Sequence, residues 1–123
     1  MTPKEILEID VQQNQPDYMT VPKAIGFINK MLSQGSKMVR QGDTLILFKN
    51  IGNSTAEFHS FSADKPTEYL KNMKKFSEML KKMGFEFATT EYENPKLYKV
   101  FKICGFDATI EKTDNGYKAL VRL

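Results

Sequence analysis

Glu57 and His59 stand two residues apart in the run Thr55 to Ser62, an alternating stretch that reads as a β-strand. Successive side chains of a strand point to opposite faces, so Ala56, Phe58 and Ser60 share one face and Glu57, His59 and Phe61 the other. A carboxylate beside an imidazole could work as an acid/base pair. The same spacing also describes the hydrated or internally satisfied side of a sheet, and the residues alone leave both readings open. A second feature is the lysine-rich side of the stretch Thr67 to Met83, where Lys71, Lys75, Glu78 and Lys82 fall together. Lysines on one helix face could hold phosphate or nucleic acid, but Glu78 interrupts them and a solvated face explains them better. The third is Cys104, the only cysteine, which can form no internal disulfide and reads as a core side chain in a final helical turn.

The elements that would position these groups follow from periodicity and turn chemistry. In Thr67 to Met83, residues Tyr69, Met73, Phe76, Leu80 and Met83 lie within an arc of about 80°, opposite the lysines, which predicts an amphipathic helix closed by Gly84. Phe85 to Tyr92 reads as a strand. Asn94 to Cys104 reads as a short helix with Asn94 as cap, Leu97, Phe101 and Cys104 as its buried stripe, and Gly105 as its stop. A strand, a helical crossover and a second strand place Thr55 to Ser62 and Phe85 to Tyr92 side by side and parallel. Ligands usually bind in the crevice at the carboxyl ends of such a pair.

Upstream, Thr2, Pro3 and Glu5 form a helix start of the capping-box kind, with an apolar face through Ile6, Leu7 and Ile9 to Val11 and a loop from Gln12 to Tyr18. A second helix follows Pro22, with Ile25, Ile28 and Leu32 as its stripe and Gly35 as its end. Lys37 to Arg40 and Thr44 to Lys49 form a hairpin about Gln41, Gly42 and Asp43, and a further turn is signalled by Asn50, Gly52 and Asn53. The tail is a last hairpin, Phe106 to Lys112 and Tyr117 to Leu123, with Asn115 and Gly116 as a type I′ turn.

Composition bounds the function. The 123 residues suit a single domain, 1–123, and 41% hydrophobic residues with nine Phe and five Tyr argue against disorder. Eighteen basic against fifteen acidic residues, a net charge of +3, fall short of a dedicated nucleic-acid binder. Neither a signal peptide nor an apolar run of about 18 residues is present, so the expectation is a soluble protein in a reducing, cytoplasmic setting.

The order of elements resembles the GNAT superfamily, the acyl-CoA-dependent N-acetyltransferases, over roughly residues 20 to 123 and without the usual first strand. Asn94, Leu97, Phe101, Gly105 and Phe106 are similar to that family's N-x-x-A-x-x-x-Y-x-x-x-G-F segment, and Gly84 with Phe85 fits the same register. The resemblance implies an α/β (α+β) fold with a mixed, mostly antiparallel sheet, one parallel strand pair and helices on both faces. It also implies where chemistry would sit. In an active enzyme Glu57 or His59 would serve as base, and Ser62, Ala63, Asp64, Lys65, Thr67 and Asn94 would hold acetyl-CoA.

Two departures from the family pattern point away from catalysis. The family's loop resembles [RQ]-x-x-G-x-[GA], whose N–H groups hold the pyrophosphate; the corresponding Ser62 to Glu68 has no glycine, loses a donor at Pro66, and carries Asp64 and Glu68. Phe101 stands where the family often has a Tyr as general acid, and Tyr98 points about 60° away around the helix. The expectation is a non-catalytic binding or structural module with no catalytic, cofactor or metal residues, a protein partner, no membrane, and the long helix capped from within by Asp64 or Thr67. Small degenerate proteins of this build are similar to ones carried by tailed phages, including an internal virion protein. That similarity implies a virion location if the chain is phage-encoded. The alternative is a divergent acetyl-CoA-dependent N-acetyltransferase.

Overall fold

The computed structural model describes residues 1–14, 17, 19–92 and 105–123. In chain order these form α1 (Pro3–Asn14), α2 (Val21–Ser33), β1 (Lys37–Gln41), β2 (Thr44–Gly52), β3 (Thr55–Ser62), α3 (Pro66–Lys82), β4 (Phe87–Tyr92), β5 (Asp107–Thr113) and β6 (Gly116–Arg122). The expected helix from Asn94 to Cys104, with Leu97, Tyr98 and Phe101, lies outside the described residues.

One six-stranded sheet runs in the order β1-β2-β3-β4-β6-β5. Every neighbouring pair is antiparallel except β3 and β4, which are parallel and joined by α3 as the crossover. Their ladder is short. Thr55, Ala56 and Glu57 pair with Phe87, Ala88 and Thr89, after which β3 continues along β2 only and β4 along β6 only. The sheet therefore opens between the carboxyl halves of β3 and β4.

Helices cover both faces, each on its own apolar cluster. On one, Leu7, Ala24, Ile28 and Met31 of α1 and α2 pack on Leu47 and Phe61. On the other, Met73, Phe76 and Leu80 of α3 pack on Ile46, Phe48, Ala56 and Phe58. Phe76 is 2% exposed, with its ring centroid 5.8 Å from those of Phe48 and Phe58. Burial of one such side chain is worth about 1.5 to 3 kcal/mol, so this trio anchors α3 to the sheet.

The helix ends follow local chemistry. Thr2 and Glu5 form the expected capping box, the Thr2 hydroxyl accepting from the Glu5 N–H at 3.2 Å and Glu5 Oε1 from the Thr2 N–H at 3.2 Å. The Thr2 N–H and the Thr2 hydroxyl, both donating to Glu5 Oε1, hold the Glu5 carboxyl below its usual range. After α3, Gly84 at φ 98° donates to the Lys81 carbonyl and Phe85 to that of Leu80, a Schellman ending that turns the chain into β4.

Several local expectations are corrected. α1 continues to Asn14, because Gln12 and Gln13 are good helix formers and Pro16 lies beyond. The buried stripe of α2 is Ala24, Ile28 and Met31, while Ile25 and Leu32 are exposed. Met83 leaves the α3 stripe because it is the C-cap, and it too is exposed. β2 runs to Gly52, and the left-handed turn falls on Asn53 (φ 54°) and Ser54 (φ 57°). In the last hairpin Thr113 pairs with Gly116, so Asp114 and Asn115 form the tip, and neither has the positive φ of a type I′ turn. β4 begins at Phe87, since the N–H groups of Glu86 and Phe87 are taken by the Ser54 carbonyl.

Candidate functional site

β3 delivers Glu57 and His59 to the face covered by α2, as alternation requires. Their side chains meet, Nε2 to Oε1, at 3.6 Å and keep 34% and 19% of their surface exposed, enough to reach solvent. The His59 ring stands edge-on against Phe27 at 4.8 Å and 82°. Burial pushes its pKa down, Glu57 opposes that shift by charge and hydrogen bonding, and Glu91 opposes it more weakly. The balance leaves a neutral imidazole at pH 7, a group able to accept a proton. It sits just past Glu57, where β3 and β4 separate.

The loop after β3 is built differently. Its Ser62 N–H donates to the buried Asp10 carboxylate of α1 at 2.9 Å, its Ala63 N–H to the Asp43 carbonyl at 2.9 Å, and its Asp64 N–H to the Ser62 hydroxyl at 3.1 Å. Asp64 Oδ2 in turn accepts from the Asp43 N–H (3.0 Å), the Thr44 hydroxyl (2.8 Å) and the Asn72 amide (2.8 Å). With the Thr44 proton committed to Asp64, the 2.6 Å contact between Thr44 and Ser62 is a bond donated by Ser62. The network ties α1, the β1–β2 turn and the second turn of α3 into one polar cluster.

That cluster overturns the expected cap. Lys65 occupies the N-cap of α3 and no side chain bonds the helix start. The Asp64 carboxylate is drawn inward by three donors, and Thr67, lying inside the first turn after Pro66, is not the cap. Asn94 lies outside the described residues. Asp10, Thr44 and Asn72 escaped the sequence reading, although Asn72 borders the apolar arc of α3 and a lone amide there is a signal for a buried polar partner. Gly42 belongs to the cluster by necessity. It holds φ 59° at the first position of the β1–β2 turn, and a Cβ there would stand 3.2 Å from both Asn72 Nδ2 and Asp64 Oδ2.

No group of three metal-ligating side chains occurs among the described residues, and none of their helices is long and apolar enough to cross a membrane.

The architecture is matched closely enough among solved structures to decide the fold. A phosphinothricin acetyltransferase of the GNAT superfamily from Sinorhizobium meliloti, in complex with acetyl-CoA, superposes with a TM-score of 0.59 at 10% identity, covering 98% of this chain and 82% of that one. The fold is that of the GNAT acetyltransferases. A Bacillus subtilis acetyltransferase bound to CoA gives 0.57 at 14% identity, covering 100% and 94%, and an N-acetyltransferase from Staphylococcus aureus 0.53 at 11%, covering 100% and 94%. No family model matches the sequence and no curated protein matches it. In the Ser62 to Lys65 segment, where the sequence resemblance implies a pyrophosphate would lie, the amides of Ser62, Ala63 and Asp64 are already engaged by internal acceptors and that of Lys65 is not.

Proposed function

We propose that this chain is a non-catalytic binding module on the GNAT fold, one that takes no acyl-CoA and engages a protein partner. One observation carries the reading. Across positions 62 to 66, three backbone N–H groups donate to internal acceptors and Pro66 has none, which leaves a phosphate only the Lys65 amide and the first-turn amides of Thr67 and Glu68, beside the Glu68 carboxylate. A pyrophosphate needs several converging amides at the start of the helix. Freeing them would break internal bonds, that of Ser62 buried and that of Asp64 part-buried, at a cost of about 1 to 3 kcal/mol for each group left unsatisfied in the interior.

A second reading, a divergent N-acetyltransferase, is favoured by the opening between β3 and β4 and by the neutral His59 beside Glu57. In that case Glu57 or His59 would take the proton from an amine. Titration with millimolar acetyl-CoA, followed by thermal unfolding and by an amine-acetylation assay, separates the two. The binding-module reading expects no shift and no product. A ligand at 100 times its dissociation constant stabilises a fold by about 2.7 kcal/mol, so a clear upward shift would overturn the first reading, and acetylated amine would establish the second.

A further inference from the structure

The helix α3 carries five lysines, Lys71, Lys74, Lys75, Lys81 and Lys82, against Glu68 and Glu78, so this one element holds a charge equal to the whole net charge of +3. All five lysines are exposed. Only Lys71 is paired, at 3.5 Å from Glu68; Lys74, Lys75, Lys81 and Lys82 have no ion pair among the described residues. At 100° per residue the five fall within an arc of about 120°, on the side away from Met73, Phe76 and Leu80. Lys81 and Lys82 sit in the last turn, where they offset the negative end of the helix dipole. Lys74 and Lys75, mid-helix, have no such role.

Their spacing indicates what they face. Lys74 and Lys75 recur one heptad later as Lys81 and Lys82, about 10.5 Å along the axis, with Glu78 between the two pairs. A continuous polyanion such as nucleic acid would set a phosphate against Glu78. A helix with carboxylates one heptad apart on two rows meets Lys74 and Lys81 along one edge of the arc and Lys75 and Lys82 along the other, and leaves its intervening turn free to present a cation to Glu78.

We propose that the outer face of α3 is the docking surface of the binding module, and that its partner is an acidic helix with carboxylate pairs at heptad spacing. The proposal rests on the binding-module reading. Its test uses a synthetic helical peptide with Glu pairs seven residues apart, a peptide of the same composition with those Glu residues scrambled, and a duplex oligonucleotide, each titrated against the full chain by fluorescence anisotropy at two salt concentrations. The matched peptide should bind at least about tenfold more tightly than either competitor, weaken as salt rises, and lose that advantage when Lys74, Lys75, Lys81 and Lys82 are changed to Glu. Equal binding of matched and scrambled peptides, tighter binding of the oligonucleotide, or retained binding by the quadruple variant overturns it. Circular dichroism of the variant checks that α3 still folds, and single Lys75→Glu and Lys82→Glu variants, each expected to weaken the matched peptide, replace it if it does not. Acetyl-CoA binding, measured separately, would overturn the non-catalytic reading whichever way the peptides behave.

Discussion

The two polar clusters on β3 are constructed in opposite ways. At its end, Ser62 and Asp64 are locked with Asp10, Thr44 and Asn72 in a network whose donors and acceptors answer one another at 2.6 to 3.1 Å. At its middle, Glu57 and His59 touch at 3.6 Å and face solvent on one side and Phe27 on the other. Satisfied, part-buried groups hold a structure together because leaving any one of them unpaired is costly. A loosely paired, partly exposed couple contributes little to stability and keeps its protons available.

Variants should separate the clusters by the size of their effect. Asp64→Ala removes the acceptor for Asp43, Thr44 and Asn72 together and should destabilise the fold by about 2 to 3 kcal/mol in urea unfolding, with Asp64→Asn less severe. A loss below about 0.5 kcal/mol would mean that the network is not holding the loop. Gly42→Ala should cost about 1 to 2 kcal/mol for its left-handed φ, with a further penalty if Asn72 cannot move aside.

At the Glu57–His59 pair the expected signal is pH dependence. Because His59 titrates lower in the folded protein than in the unfolded chain, the unfolded state takes up its proton first as pH falls through about 6.5. The stability that His59 contributes is therefore fully present above that pH and declines below it until the folded pKa is reached. His59→Gln should flatten this part of the profile. Glu57→Gln should steepen it, since Glu57 is the main influence raising the His59 pKa. A profile identical in all three proteins would remove the pair from consideration as a titrating unit. At the small end, Lys75→Ala should change stability by less than about 0.5 kcal/mol.

Much of this architecture is legible in the sequence because it rests on local rules. The alternation in Thr55 to Ser62 sorts Glu57 and His59 onto one face, and the length of α3 forces the parallel return of β4. The arc through Tyr69, Met73, Phe76 and Leu80 names the buried side of α3. What fails depends on contacts distant in sequence. Asp64 looks like a helix cap to any local rule, yet its three donors come from 8, 20 and 21 residues away. On α2, Ile25 and Leu32 have the larger side chains, but the position against Leu7 and Leu47 goes to Ala24, completely buried. The turn at Asn115 and Gly116 misleads for a related reason: the β5–β6 register, fixed along seven residue pairs, places Gly116 inside the ladder rather than at its tip.

The central claim is that the amides of Ser62, Ala63 and Asp64 are held by the protein's own acceptors. A nitrogen-15 amide spectrum, recorded with hydrogen exchange and then with millimolar acetyl-CoA, tests it at the atoms concerned. Slow exchange is expected at Ser62 and Ala63, measurable protection at Asp64, and no displacement of any resonance from Ser62 to Glu68 when acetyl-CoA is added. Rapid exchange at Ser62 and Ala63, together with saturable shifts in that segment, would contradict it.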